Sequence, residues 1–347
     1  MSEARAGSTP GTATAGAPFL VERGARMRMT FSGEKAKEAL GGLMTNDVVT
    51  LRAGTGHRAA ALTPKGRVIA LCRVFDRGSD LLVDCDAAAG EGFATMIRKF
   101  VNPRLAKYAL VTDATDCMGV HGAGAGSVLA GALSHAAAGA TGGDGGLASR
   151  LEALVPMDGI TVGEGDAATY VVRSAELSAP GFELFGATAR VGAIRAALAD
   201  LGVRTATPDE VTVLRVEAGI PEWGTEMDVE TIPQEAVLDD LGAISFNKGC
   251  YTGQEVVARI HFRGHVNRLL RLLASESPLA VGSRVIDAAG TDVGEVRTSV
   301  VSATRGPLAI AMVRREVEPG SDVTVRSATS EVRARVSPLV PVGGMPA

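Results

Sequence analysis

Aromatic side chains and long apolar runs are what this sequence has least of. Only 4% of its 347 residues are aromatic, although 46% are hydrophobic. No segment approaches the ~18 consecutive apolar residues of a membrane-spanning helix, and the first residues lack the apolar core of a secretory signal. We therefore expect a cytoplasmic protein that does not engage a membrane and that begins with a disordered tail over residues 1–17.

Cysteine is also rare, and its spacing excludes two classes of protein. The cysteines never form a C-x-x-C pair, which argues against a zinc ribbon, and they are too scattered for a secreted disulfide scaffold. The phosphate-binding loop, the dinucleotide fingerprint and the G-x-S-x-G elbow are absent too. Because the net charge is −4, any site for an anion must be local. The four cysteines are Cys72, Cys85, Cys117 and Cys250.

One segment concentrates chemistry that the rest of the chain lacks, the run KGCYTGQE from Lys248 to Glu255. Thr252 and Glu255 have the spacing of a capping box, so we predict a helix that starts near Gly253. Cys250 would then lie in a loop two residues before the positive end of a helix dipole, with the charge of Lys248 nearby. Both effects favour a thiolate, which makes Cys250 the candidate reactive group. The alternative is a buried, inert cysteine in a glycine-rich turn.

The order of predicted elements indicates an α+β region followed by a small all-β domain. The best helix cap in the chain is Thr207-Pro208-Asp209-Glu210. After Arg268 short strands alternate with turns, which is typical of an antiparallel barrel. We place the α+β region at 18–265 and the barrel at 266–340. The other principal elements expected from periodicity are strands near 26–31, 57–62, 68–75, 81–85, 170–173 and 182–185, helices over 34–44, 92–100 and 191–201, and a flexible loop over 140–146.

Cations gather between residues 248 and 271. This pattern predicts a local site for a phosphate, a carboxylate tail or RNA, or else a solvated face at a domain junction. Phe262 is the only aromatic between Arg259 and Arg271, which is sparse for a site that stacks single-stranded nucleic acid. His261 and His265 are four apart but have no third ligand spaced with them, so we predict no metal site. The segment 248–271 contains one acid, Glu255, and five cations, Lys248, Arg259, Arg263, Arg268 and Arg271.

The run KGCYTGQE, followed by Val257-Ala258-Arg259 and Arg263-Gly264, closely resembles the motif of the YgfZ family. These are folate-binding proteins linked to iron–sulfur cluster maintenance, and they are similar in fold to the glycine-cleavage T-protein, an aminomethyltransferase. The resemblance extends in order over about residues 18–340. It implies three domains arranged as a clover leaf around a central folate site, the last of them a small antiparallel β-barrel. Further segments that resemble the wider superfamily are 43–47, 64–67, 181–183 and 214–221.

The resemblance also implies a ligand, tetrahydrofolate or a one-carbon derivative, and residues that hold it. Glu183 stands where the T-protein has the glutamate that binds the pterin ring, and a carboxylate suits the N–H donors of an aminopterin edge. Asp84 resembles a position on the third strand that also faces the pterin. Arg215 is either a further ligand contact or the ion-pair partner of Glu217.

Two departures from the T-protein bear on activity. Its strand after the Gly-Gly turn carries an acidic pair that includes the catalytic aspartate, and Ala70 and Leu71 stand at those positions here. Neither side chain can donate or accept a proton, and general acid–base catalysis typically contributes ~10²–10⁴ in rate. The T-protein's Tyr-Thr-Gly-Glu segment is replaced by Ser174-Ala175-Glu176. These departures argue against efficient aminomethyl transfer.

Our leading hypothesis is a tetrahydrofolate-binding accessory protein for iron–sulfur cluster assembly or repair, with iron–sulfur proteins or their assembly machinery as partners. One alternative is a folate-dependent aminomethyltransferase in which Asp84 replaces the missing acid. The other is a tRNA-modification factor that binds RNA through the stripe 259–271. The functional motif of the leading hypothesis comprises Cys250 and Lys248 with Gly249, Tyr251, Gly253, Gln254 and Glu255.

Overall fold

The protein is described here from a computed structural model, which covers residues 16–136 and 146–339. The expected disordered tail falls outside these residues except at positions 16 and 17, and so does all but the last residue of the expected loop over 140–146. The α+β prediction is confirmed. In chain order the elements are β1 (Phe19–Glu22), β2 (Met27–Ser32), α1 (Ala36–Gly41), β3 (Gly56–Leu62), β4 (Val68–Asp76), β5 (Leu81–Cys85), α2 (Ala87–Phe100), β6 (Lys107–Leu110), β7 (Thr115–His121), α3 (Ala125–His135), α4 (Leu147–Glu152), β8 (Gly159–Val162), β9 (Thr169–Arg173), β10 (Gly181–Ala187), α5 (Thr188–Asp200), β11 (Arg204–Thr205), α6 (Pro208–Ala218), α7 (Gln254–Arg263), β12 (Arg268–Ser275), β13 (Arg284–Ile286), β14 (Asp292–Ser302), β15 (Gly306–Arg314), β16 (Asp322–Arg326) and β17 (Glu331–Pro338).

The first lobe is a five-stranded antiparallel sheet in the order β3-β4-β5-β2-β6. Helices α1 and α2 cover it, and residues such as Phe31, Leu40 and Phe93 form its core. The helix expected over 34–44 is shorter than predicted, because the chain leaves α1 so that Met44 can form a β-bridge with Ala61 in strand β3. This early exit places the segment after α1 beside the functional motif described below.

The second lobe is a six-stranded sheet in the order β11-β1-β7-β10-β9-β8. Only the β1–β11 pair is parallel, and the remaining pairs are antiparallel. Helices α3, α4 and α5 cover its outer face around a core that includes Leu129, Phe182 and Ile194. The capping box expected at the start of α6 is confirmed, with reciprocal hydrogen bonds between Thr207 and Glu210 and proline at the first helical position.

The last six strands close into a barrel in the order β12-β15-β14-β13-β16-β17, as the sequence predicted. Inward-facing residues such as Leu273, Val296 and Val313 fill its interior. A second apolar cluster, which includes Leu270 and Ile310 of the barrel together with Val216 and Val257, packs the barrel against α6 and α7. Among the helices of the described residues, none combines the length and apolar character needed to cross a membrane.

Candidate functional site

Cys250 differs from the other cysteines in exposure. Its residue is exposed to solvent, whereas Cys72, Cys85 and Cys117 are buried in strands of the two lobes. Burial raises the pKa of the Cys117 thiol well above its ordinary value, and burial next to Cys85 does the same for the pKa of Cys72. An accessible thiol, which the predicted reactive role requires, is therefore present at Cys250.

Lys248 anchors the loop that carries this thiol. Its Nζ donates hydrogen bonds to the carbonyl oxygens of Gly41 at 2.5 Å, Met44 at 2.7 Å and Asn46 at 3.0 Å. Burial lowers the pKa of Lys248 to about 8, although three carbonyl acceptors favour its protonated form. The ammonium group therefore fixes the position of the loop, and an influence on the thiolate of Cys250 stays a prediction.

Backbone and side-chain hydrogen bonds join the same two segments along their length. Thr45 Oγ1 donates to Ala243 O at 2.6 Å, and Asn46 Nδ2 donates to Gly242 O at 2.8 Å. Further along, Thr252 N donates to Gly42 O at 3.0 Å. The resemblance at positions 43–47 thus has a structural reason, since this segment is the platform on which the motif is held.

The predicted capping box at Thr252 and Glu255 is wrong. Helix α7 begins at Gln254, its N-cap is Gly253 with φ +83°, and no side chain caps it. A Cβ at Gly253 would lie 2.6 Å from Thr63 O and 3.1 Å from the Cα of Gly66, so the hairpin turn between β3 and β4 leaves no room for a side chain. The helix start predicted near Gly253 is nevertheless confirmed to within one residue, so Cys250 lies three residues before the N-cap of α7.

A narrow cleft of about 30 Å³ opens where the two lobes meet α6. Five arginines line it, together with three acids and the apolar side chains of Leu71, Ile220 and Pro221. Leu71 occupies one of the two positions where the T-protein resemblance implies an acid, and Ala70 at the other is buried beside Ala61. The cleft wall is therefore hydrocarbon where a proton-handling group would be needed. The charged residues of the lining are Arg23, Arg26, Arg58, Arg73, Arg215, Asp86, Glu176 and Glu222.

Arg73 is the central residue of this junction, and the sequence analysis did not single it out. It lies opposite Asp84 in the β4–β5 pair and donates to both oxygens of that carboxylate, at 2.8 and 2.5 Å. Its Nη1 donates to Glu183 Oε2 in the other lobe at 2.6 Å. One buried guanidinium thus ties the two lobes together. A sequence signal for this ion pair was available, because an arginine within the apolar strand β4 faces an aspartate in the neighbouring strand β5.

The two predicted pterin acceptors, Asp84 and Glu183, are fully buried and already carry hydrogen bonds. Asp84 also accepts from Arg26 at 2.8 Å, and Glu183 accepts from Ser174 Oγ at 3.1 Å. Burial alone would raise the pKa of Asp84, but Arg26 and Arg73 hold it well below its ordinary value. Burial alone would also raise the pKa of Glu183, but Arg73 and Arg23 lower it to about 2. Contact of either carboxylate with a pterin stays a prediction.

The expected Arg215–Glu217 ion pair is wrong. Arg215 donates two hydrogen bonds of 3.1 Å to the carboxylate of Glu226 and a third of 2.7 Å to Ile220 O. Glu217 accepts instead from Ser178 and from Ser302 of the barrel. Residues two apart point to different sides of a helix, so α6 sends these two side chains to different partners. Arg215 still lines the cleft.

Glu176 is a second residue whose place in the site was missed. It lines the cleft and accepts two hydrogen bonds from Arg58, both at Oε1. Its Oε2 has no hydrogen-bond donor in the described part of the chain, unlike the oxygens of Asp84. Despite the effect of burial, Arg58 lowers the pKa of Glu176, which keeps it ionised. In the sequence, Glu176 stood out only as part of the segment Ser174-Ala175-Glu176 that replaces the Tyr-Thr-Gly-Glu segment of the T-protein.

The structure divides the basic stripe, since Arg259 and Arg263 lie on an exposed face of α7, whereas Arg268 and Arg271 lie in β12, where Arg268 pairs with Glu235. Phe262 is 66% exposed, His261 stacks on Phe246 with ring centroids 3.6 Å apart, and Arg259 and Arg263 are exposed beside them. Only Val257 of this helix is buried. Within 16–136 and 146–339, no group of three or more His, Cys, Asp or Glu is arranged to hold a metal ion.

Comparison with known proteins agrees with this architecture. The solved structure of the glycine cleavage system aminomethyltransferase T from Bartonella henselae matches with a TM-score of 0.80 and 19% sequence identity, over 93% of this chain and 86% of that one. The heterotetrameric sarcosine oxidase from Corynebacterium sp. U-96, solved with pyrrole 2-carboxylate, matches 56% of this chain and 91% of its own at a TM-score of 0.35 and 12% identity, too low for any argument. The aminomethyltransferase T-like fold is thereby shown.

A family profile described as the GCVT N-terminal domain matches residues 19–248. This match spans both lobes and the segment that leads to the motif, and it ends at Lys248. The chain belongs to the GCVT N-terminal domain family.

Proposed function

We propose that this protein is a tetrahydrofolate-binding accessory factor for iron–sulfur proteins that acts through the thiol of Cys250. The observation that carries the proposal is the contrast in exposure, since Cys250 alone among the cysteines of the described residues is exposed, on a loop held by three hydrogen bonds from Lys248. A single thiolate can ligate a cluster only if another molecule supplies the remaining ligands. The proposed role is therefore exercised on a partner.

The central cleft supports the folate part of the proposal through residues other than those first expected. An aminopterin edge presents N–H donors beside acceptor atoms. Glu176 offers an open carboxylate oxygen at Oε2, and the neighbouring Arg58 has an Nη1 that donates no hydrogen bond within the described chain. These residues fit such an edge, so Glu176 and Arg58 would hold the ring while Asp84 and Glu183 keep Arg73 in place.

Replacement of the thiol in cells tests the proposal. In a strain that lacks the native protein, Cys250→Ser should fail to restore the activity of iron–sulfur enzymes, whereas the wild-type chain restores it. Asn247→Ser is the matched control, because Asn247 is exposed on the same loop. Full activity of the iron–sulfur enzymes with Cys250→Ser, at equal protein level, would contradict the proposal.

The folate part has its own test by calorimetry. Purified protein should bind tetrahydrofolate, and Glu176→Gln should weaken binding by about tenfold or more, because the amide loses the charge that strengthens the hydrogen bonds. Lack of binding by the wild-type chain would contradict this part and leave the thiol experiment unaffected.

RNA binding is a second candidate function, favoured by the exposed aromatic group on α7. Phe262, with the His261–Phe246 stack beside it, offers a surface on which bases could stack between the guanidinium groups of Arg259 and Arg263. Affinity for a tRNA should then fall steeply with salt and drop further in Phe262→Ala. Phe100→Ala is the control, since Phe100 is an exposed aromatic on α2. Absent or salt-independent binding removes this candidate.

Aminomethyl transfer is the candidate that the cleft supports least. Leu71 contributes hydrocarbon at the wall, and Asp84 is held by Arg26 and Arg73, so neither can accept a proton from a substrate. We expect no turnover of methylene-tetrahydrofolate by the purified protein above the uncatalysed rate. Turnover that is lost in Asp84→Asn would reverse this ranking.

A further inference from the structure

A second cavity, of about 390 Å³, lies between helix α7, the segment 234–240 and the barrel. Its volume falls within the range of ~300–1,000 Å³ that is typical of ligand sites. It shares no lining residue with the central cleft. This α7–barrel cavity is therefore a separate place at which the protein can bind another molecule.

Two polar atoms of the residues that line this cavity are buried without a partner. Gln234 is only 5% exposed, and its Nε2 donates to Val257 O at 2.9 Å. Its Oε1, in contrast, accepts no hydrogen bond within the described residues. The Nε of Arg271 is also buried and has no acceptor there. Because a buried polar atom without a partner destabilises the protein, the two atoms indicate a ligand that brings both a donor and an acceptor.

The backbone places these two residues next to each other. Leu270 N donates to Glu235 O at 2.9 Å, so the residue before Arg271 is bonded to the residue after Gln234. Both side chains line the same cavity. A neutral acceptor beside a guanidinium matches the last residue of a polypeptide, because its carboxylate accepts hydrogen bonds from arginine and its own amide N–H is a donor.

The apolar part of the wall fits a hydrocarbon side chain on that last residue. Burial of such a side chain would add a hydrophobic contribution to the charge-assisted hydrogen bonds of the carboxylate. The apolar lining residues are Val237, Ile260, Val266 and Leu269.

The acids of the lining specify a cation on the same ligand. Asp239, Asp240 and Glu318 line the cavity together with Arg271 and Arg315, and none of these three acids forms a salt bridge within residues 16–136 and 146–339. Burial and the charge of Asp240 raise the pKa of Asp239. A simple anion would be repelled by these carboxylates, whereas a polypeptide end with a basic residue close to its carboxylate complements both signs of charge.

We propose that the α7–barrel cavity binds the C-terminus of a partner protein that ends in an apolar residue and has a lysine or arginine two positions earlier. Arg271 donates to the terminal carboxylate, Gln234 Oε1 accepts from the last amide N–H, and Asp239 with Asp240 attracts the basic residue. This interaction goes beyond the proposed function, since it requires neither folate nor Cys250. Helix α7 joins the cavity to the functional motif, and its ten residues span about 15 Å.

The experiment is fluorescence anisotropy of the full-length protein, without folate, with a labelled peptide. The probe has four residues, glycine, lysine, alanine and leucine, with the label on its amino end. The form with a free carboxylate should bind at least about tenfold more tightly than the same peptide with a C-terminal amide, because the amide loses the charge-assisted hydrogen bonds. Glutamate in place of the lysine should weaken binding about threefold, and less in high salt.

A variant pair assigns the effect to the cavity. Arg271→Gln should cost about tenfold in affinity for the free-acid peptide and leave the affinity for the amide within about twofold of wild type. Arg333→Gln, at an exposed arginine on strand β17 of the same barrel and outside the cavity, should change neither. The comparison of acid and amide on wild-type protein needs no variant, so it decides the question if Arg271→Gln does not fold.

Three outcomes would overturn the inference and leave the folate and thiol experiments unaffected. The first is equal affinity for the free acid and the amide, or binding of neither. The second is displacement of the probe by acetate at the concentration at which unlabelled peptide displaces it, which shows a general anion site. The third is stronger displacement by a tRNA than by unlabelled peptide, which assigns the cavity to RNA binding.

Discussion

The central cleft and the Cys250 loop satisfy their polar groups in opposite ways. At the cleft, charged side chains from two lobes bind one another, and each of the three side-chain nitrogens of Arg73 donates to Asp84 or Glu183. At the loop, a single cation binds backbone carbonyls and leaves the neighbouring thiol exposed. The first arrangement holds lobes together, and the second presents a reactive group without using it in the fold.

The largest expected difference between the two regions lies in thiol accessibility. Iodoacetamide should modify Cys250 of the native protein at the rate of a free thiol and the other three cysteines more than ~10³-fold more slowly, because they react only after the core opens. Peptide mass spectrometry over time measures the rates. Rapid modification of Cys72, Cys85 or Cys117 would show that the lobes open readily and would weaken the contrast.

Loss of the cleft network should be the most destabilising single change. Arg73→Met should lower the free energy of unfolding by about 3–5 kcal/mol, since it leaves Asp84 and Glu183 buried without their main partner. Urea titration followed by circular dichroism measures the loss. Arg98→Met, at an exposed arginine on α2, serves as control and should leave the curve unchanged. A loss of less than about 1 kcal/mol would mean that water replaces Arg73.

Two buried residues of the second lobe, His121 in β7 and Glu183 in β10, should govern how acid destabilises the protein. Burial lowers the pKa of His121 from 6.5 to about 4, so the unfolded chain binds a proton first and stability falls as pH drops from 6.5 to 4. Glu183, whose pKa is depressed to about 2, contributes stability above pH 4.5 that is lost as pH falls towards 2. His121→Asn should remove most of the first fall, about 3 kcal/mol. An unchanged profile between pH 6.5 and 4 would assign it to other groups.

The anchor of the thiol loop should have the smallest effect on stability. Lys248→Met should cost about 1–3 kcal/mol, because three carbonyl oxygens lose a donor, two of them in the buried residues Gly41 and Met44. Lys65→Met, at an exposed lysine on the hairpin turn, is the matched control and should be neutral. Chemical unfolding measures both. A loss as large as that of Arg73→Met would mean that the loop, too, is part of the framework.

Elements defined by local chemistry were predictable. The cap at Thr207 and Glu210 and the six strands of the barrel depend on residues close in sequence, where spacing alone sets the hydrogen bonds or the alternation. The error at Thr252 and Glu255 has the opposite origin. Their spacing is correct for a cap, but the contact between Gly253 and the turn at Gly66 decides the start of the helix.

The partners of the charged cleft residues were not predictable from spacing. Asp84 and Glu183 were predicted to contact a pterin, which stays a prediction, and the guanidinium that binds both comes from Arg73, which stands 110 positions before Glu183. Arg215 binds Glu226 rather than Glu217 because the chain after α6 turns back over its end. Such ion pairs form only when segments distant in sequence meet, and the sequence alone is compatible with many different pairings of its arginines and acids.

The sequence by itself determined the candidate thiol of Cys250, the order of lobes and barrel, and the hydrocarbon at positions 70 and 71, since each follows from residue identity and local pattern, whereas the exposure of Cys250 came from the structure. Only the tertiary structure decided which carboxylates remain open to a ligand. That depends on how strands distant in sequence align their charges across the junction, because a buried charge takes the partner that the packing brings within reach.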